Sequence, residues 1–315
     1  MTESEVEAIN AEASVLMKRG IAFLEEPRRE APIDALHCFD EALELRRRIP
    51  ADYSPFQGYL LAACLLNRAD ALVRFNDAGP LAAALSSYEE GIQVLELLPL
   101  AEDARYPRRL AMAHQNRALA LHLSGAPEAA ATALADALAV LDQEHSAAIP
   151  DLEYMRAVAW LNLANMRATD PADESRSQAR AAAMRALTHV GDAEESDVQA
   201  AEAALQARHV LCRVCAQTLT ESDQQTMTPD VHEATDAVDE GLALVRSWEQ
   251  RGVSAFRGFA FDLFRFGARV YALYQPQFLE EFIAENMNPQ HSSSGFVESP
   301  EMTTAANEAR QLVQP

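Results

Sequence analysis

The sequence predicts an all-α protein built from repeated helix pairs, and three observations carry that prediction. Glycine is sparse (11 of 315 residues), alanine is abundant and runs of β-branched residues are absent, a composition that favours helix throughout. An asparagine inside an otherwise apolar helical phrase recurs at Asn67, Asn116 and Asn162, at intervals of 49 and 46 residues. Self-similarity at that period marks a repeat array. After each phrase a second helical pattern carries a small residue, an apolar residue four later and another small residue three beyond, which places all three on one helix face.

Taken in order, the first pair spans 3–26 and 32–48. Its first helix reads "LMKRGIAFLEE", with Lys18 in the asparagine place, and its second carries Ala35, Phe39 and Ala42. The second pair, 54–76 and 79–98, has "LLNRADALVR" and then Ala84, Tyr88 and Gly91. The third, 104–124 and 127–148, has "HQNRALALHL", the loop residue Gly125, and Ala130, Leu134 and Ala137. The fourth, 151–168 and 172–190, has "AWLNLANMRA" followed by Ala179, Ala183 and Ala186. The fifth, 195–220 and 229–251, keeps Ala234, Val238 and Gly241, but its first helix matches poorly and "LTESDQQTMTPD" reads as an insertion. A last helix is expected over 254–286. Prolines at 50, 55, 99, 107, 127, 150, 171, 229 and 289 fall near these boundaries, as helix breakers do. Small residues on the shared face let two helices approach closely while the larger one fills the space between them. Beyond Asn286 the polar "NPQHSSSGF" reads as a linker, with a short helix near 300–312.

The phrase "AWLNLAN", with Trp160, Asn162 and Ala164, and the third copy with Gly125 resemble the tetratricopeptide repeat family over residues 3 to 285. The unit here is longer than that family's, so extended helices are expected. The resemblance implies a right-handed superhelix of about five antiparallel pairs: repeats at about 3–50, 51–99, 100–149, 150–191 and 192–251, a capping helix at 254–286 and a polar tail at 287–315. It also places the recurrent asparagine near the turn between repeats. There its side chain would bond backbone groups, a structural role shared with the small residues Ala42, Gly91, Ala137 and Gly241. Members that clamp chaperone C-termini need a basic residue and an asparagine where this chain has Met17 and Ile21, so that partner is not expected.

The formal charge of −22 argues against non-specific binding to nucleic acid or to anionic lipid. No apolar run is long enough for a membrane span, and "MTESEVEAIN" lacks the features of a secretory signal. Cys38, Cys64, Cys212 and Cys215 sit in helical patterns, which suits a reducing compartment, and a cytoplasmic location is expected. No phosphate loop, HExxH or nucleophile elbow occurs. The Cys212/Cys215 pair lacks the companion ligands of a zinc site, so a core role is the simpler reading. Neither catalytic residues nor a cofactor or metal is expected.

Two features invite a functional reading. Arg19, Arg68 and Arg117 follow the asparagine place in three repeats, and Glu41, Glu90 and Asp136 precede the last small residue of the same repeats. Ion pairs within each repeat are expected from this, against the alternative of solvated faces. The segment 254–286 holds nine aromatic residues, read as closure of the array, covered in part by the tail, or as a homodimer surface. Arg265 and Arg269 share a face there. By resemblance that face lines an inner groove with Asp70, Gln115 and Asn165, and together these could grip a carboxylate or an acidic peptide end; pairing with nearby acids is the alternative. The expected function is a non-enzymatic scaffold holding a peptide or protein segment in a concave groove. The alternative is a regulator that closes around a small anion or signalling peptide.

Overall fold

A computed structural model describes residues 1–50, 53–219, 228–288 and 299–313. Among these residues every regular element is helical. They divide into two compact units, 1–152 and 153–315.

The first unit contains α1 (Glu3–Glu25), α2 (Ala31–Arg47), α3 (Pro55–Val73), α4 (Ala78–Glu96), α5 (Arg105–Leu123) and α6 (Pro127–Leu141), each packed on its neighbour in sequence. Local chemistry sets the starts. Thr2 and Glu5 form a capping box on α1, with Thr2 N donating to Glu5 Oε2 at 2.7 Å and Glu5 N to Thr2 Oγ1 at 3.3 Å. Ser54 caps α3 just ahead of Pro55, whose missing N–H costs nothing at a first-turn position. Gly125 turns the chain out of α5 at φ +81°, a conformation that favours glycine. The small–large–small faces are the core: Ala35, Phe39, Ala42, Ala84, Tyr88, Gly91, Ala130, Leu134 and Ala137 are all buried. Close approach is visible at Gly91, where an added Cβ would lie 3.0 Å from Leu66 Cδ2. The predicted helix over 127–148 stops at Leu141. A short 3-10 turn over Glu144–Ala148 follows, held by Ser146 Oγ donating to the Val140 carbonyl at 2.7 Å.

None of the three expected ion pairs within repeats is seen among the described residues, and at Arg68 and Glu90 pairs between repeats stand in their place. Arg68 Nε donates to Asp40 Oδ1 at 2.6 Å and its Nη1 to Ser87 Oγ at 2.7 Å, while Glu90 accepts from Arg47 at 2.7 Å. Arg19 lies over the Phe23 ring at 5.3 Å, and Asp136 is nearest His114, at 4.0 Å. The cause is packing: α3 is flanked by both α2 and α4, so Arg68 points into the furrow where the two approach and meets the α2 acid first.

The second unit holds α7 (Leu152–Arg167), α8 (Asp173–Val190), α9 (Val198–Leu219), α10 (Pro229–Gln250), α11 (Arg257–Tyr274), α12 (Leu279–Asn286) and α13 (Pro300–Val313). Ala157, Leu161 and Ala164 of α7 share one core with Ala179, Ala183 and Ala186 of α8, and α9, α10 and α11 continue it. Gly241 is tighter than Gly91: a Cβ there would lie 2.6 Å from Leu263 Cδ1. The join between α8 and α9 is a short 3-10 turn over Gly191–Glu195. Arg208, 5% exposed, grips it through two bonds to Glu194 (2.7 and 3.0 Å) and reaches Glu240 at 3.0 Å. Trp248 Nε1 donates to the Glu194 carbonyl at 2.9 Å. The insertion read at "LTESDQQTMTPD" lies largely outside the described residues.

The segment read as one capping helix over 254–286 is broken at Pro276, which removes a backbone donor and ends α11. Phe256, Phe264 and Phe282 are buried in the core, and Phe278 is exposed. The stretch read as a polar tail supplies the expected cover in part. In α13, Met302, Ala305, Ala306 and Ala309 are buried and pack on α11, and Arg310 pairs with Glu280 at 2.8 Å. α13 is therefore the element that covers the last long helix.

Candidate functional site

The five residues expected in a groove divide between the two units. In the first, Asp70 is committed to the fold: the Tyr88 hydroxyl donates to its Oδ1 at 2.5 Å and Asn116 Nδ2 donates to the same oxygen at 3.0 Å. Burial pushes the Asp70 carboxyl above its usual range, against the pull of those two bonds and of Arg109 and Arg74. Tyr88 is raised in turn by burial and by Asp70. Asn116 thus joins its repeat to the preceding one through a side-chain carboxylate, where a backbone partner was expected. Asn67 and Asn162 are half-buried at the equivalent places. Gln115 is buried. In the second unit, Asn165 accepts from Arg213 Nη2 at 3.2 Å. Arg265 and Arg269 are both exposed, and Arg265 faces Pro300, Glu301, Thr304 and Glu308 of α13. The chain's own C-terminal helix, with its acids, occupies that position.

A cluster the sequence reading did not single out lies in the first unit, beside Asp70. α3 presents Phe56 and Tyr59 there, one helical turn apart, and α5 presents Arg105, Tyr106 and Arg109. The Tyr59 ring lies 5.7 Å from Tyr106 and 6.4 Å from Phe56. Arg105 sits 5.6 Å from the Phe56 ring and is held by Asp103, and Arg108 is paired with Asp151 at 2.6 Å. Arg109 lies 5.5 Å from the Tyr59 ring and donates to the Tyr59 hydroxyl at 3.3 Å, with no carboxylate in ion-pair contact among the described residues. A half-buried guanidinium held beside an aromatic ring keeps its remaining donors available for a carboxylate or carbonyl. The signal was present as "RYPRR", three arginines at a helix N-terminus, where the helix dipole disfavours cations.

The thiols are poorly suited to chemistry. All four cysteines are buried, and burial raises Cys212 and pushes Cys64 up to about 11. No group of three or more His, Cys, Asp or Glu placed to hold a metal occurs among the described residues, and none of the described helices is long and apolar enough to cross a membrane.

No family model matches the chain, and no curated protein matches it. Among solved structures, the crystal structure of BtubC (BKLC) from P. vanneervenii is similar, with a TM-score of 0.52 and 16% identity over 88% of this chain and 89% of that one. At that identity the likeness shows a shared fold, extending over nearly the whole of both chains.

Proposed function

We propose that the chain is a non-enzymatic, tetratricopeptide-like interaction scaffold that binds a peptide or protein segment on the exposed face shared by α3 and α5. The observation that carries this reading is Arg109. In a chain with 48 acidic and 26 basic residues, this half-buried guanidinium is held beside Tyr59, with Asp70 acting on it from beyond ion-pair distance and no carboxylate in ion-pair contact among the described residues. Such a group is pre-organised, so a partner's carboxylate or carbonyl gains a charge-assisted bond at low ordering cost. Phe56 and Tyr59 add apolar surface beside it, the mixture of aromatic and arginine common at interface centres. A cytoplasmic setting and independence from cofactors belong to the same proposal. The regulator reading draws no support from Arg265, whose neighbours include the acids of α13.

The test is site-specific photo-crosslinking in a lysate of the source organism. A photoreactive residue replacing Arg105 is expected to capture a polypeptide at fixed stoichiometry, and Arg109→Ala is expected to abolish the capture. The same residue replacing Glu89, exposed on α4, is expected to capture nothing. Equal capture from both positions, or capture indifferent to Arg109→Ala, overturns the reading.

A further inference from the structure

The second unit contains a cleft of about 510 Å³ between α10, α11 and α12. Its volume falls in the range of small-molecule and side-chain pockets. One wall is aromatic: the Tyr271 and Phe282 rings stack with centroids 4.6 Å apart, and Phe278 stands at the rim, 47% exposed. The facing groups are acidic. Asp239 comes from α10 and Glu281 and Glu285 from α12, with Arg246 as the only cation among the residues lining the cleft.

Arg246 is already engaged, with Asn286 Oδ1 at 2.5 Å and Glu285 at 3.5 Å. Asp239 is held by a neutral donor, the Tyr271 hydroxyl at 3.1 Å, and Glu281 has no ion pair among the described residues. Partial burial raises the Asp239 carboxyl above its usual range, with Glu285 and Asp236 adding to it and the Tyr271 bond and Arg246 opposing it. The cleft therefore holds three carboxylates against one guanidinium, beside aromatic rings in a stacked pair. A structural ion-pair network would place a cation near each acid, as Arg208 does for Glu194 and Glu240 in the same unit. A cation entering here would gain a carboxylate partner and an aromatic face together. A planar guanidinium uses both better than an ammonium, because its fork meets carboxylate oxygens while its face stacks on a ring.

We infer that this cleft is a docking pocket for an arginine side chain presented by a basic segment of a partner protein. The inference rests on the scaffold reading only in taking a peptide as the occupant; the cleft lies in the second unit and the Arg109 face in the first. The −22 charge of the chain steers such a segment toward it.

The experiment is fluorescence anisotropy of the purified full chain with three labelled decapeptides, in which alanine alternates with arginine, lysine or glutamate. The arginine peptide is expected to bind tightest and the glutamate peptide not at all. Asp239→Asn with Glu281→Gln should weaken arginine binding about 10-fold, the scale of one charge-assisted contact. Phe278→Ala should weaken it about 3-fold, the scale of an exposed cation–π contact. A charge-matched control, Glu3→Gln with Glu7→Gln on α1, should change it less than about 2-fold. Circular dichroism confirms that each variant is folded. Equal loss from the cleft and control variants would reduce the effect to net charge and overturn the inference. So would equal binding of the lysine peptide, or no binding of the arginine peptide. Failure here leaves the crosslink from position 105 unaffected, so the two readings fall separately.

Discussion

The two units solve the same packing problem with different means. In the first, the small–large–small faces do most of the work, and the cross-repeat ion pair Arg47–Glu90 is about half exposed at both ends. In the second, the α8–α9 join is a 3-10 turn, and a buried arginine with two acids and a tryptophan holds it in place. Regular spacing lets apolar contacts fix the register. Where the spacing is interrupted, directional polar bonds take over, and those are costly to break once buried.

The sharpest way to break this comparison is Arg208→Ala. Leaving Glu194 uncompensated and the turn untethered should cost about 3–5 kcal/mol. Denaturant unfolding followed by hydrogen exchange should show the second unit losing protection first, and a uniform loss across both units would refute the division. Next come the two helix-contact glycines. Gly241→Ala should cost about 1–3 kcal/mol by driving a methyl into the buried Leu263. Gly91→Ala, facing a 3.0 Å contact, should come out near neutral, because alanine regains about 1 kcal/mol of helix propensity. Melting temperatures of the two variants check this, and equal shifts would erase the distinction.

A smaller effect concerns pH. His114 is buried, faces Asp136 and Arg117, and is held below its ordinary value chiefly by burial. The unfolded chain therefore takes up the proton first. Stability contributed by the neutral imidazole is present above the unfolded value, near 6.5, and is lost as pH falls toward the folded one, at no more than about 1.4 kcal/mol per pH unit. His209, also lowered by burial, has the same sign in the second unit, so His114→Gln should flatten only the first unit's share of the pH profile. The smallest effect is a double-mutant cycle. Arg47 with Glu90 should show about 0.5 kcal/mol of coupling and Arg68 with Glu90 none.

Helix positions and core faces were legible because both depend on short-range periodicity. Ala35, Phe39 and Ala42, for example, are buried as their spacing requires. Partners of long side chains were not, since Arg68 bridges Asp40 of α2 and Ser87 of α4, a meeting set by how three helices converge. At 254–286 the run of aromatics hid the break at Pro276, which divides the segment, while cover by the tail was expected in part and is supplied by α13 on α11. Arg109 was legible only as part of the "RYPRR" run, because its contact with Tyr59 joins two helices through residues 50 apart in sequence. The Asp239 cleft gathers residues from α10, α11 and α12 that no local pattern connects.

Both tryptophans of the chain belong to the second unit: Trp248 edge-on to Phe256 at 6.1 Å, and Trp160 under the guanidinium of Arg185 at 4.5 Å. The intrinsic fluorescence excited at the red edge of the protein band therefore comes from that unit alone, while the first unit is optically silent there. Titrating a basic peptide or a denaturant while watching that emission isolates one half of the molecule with no label attached.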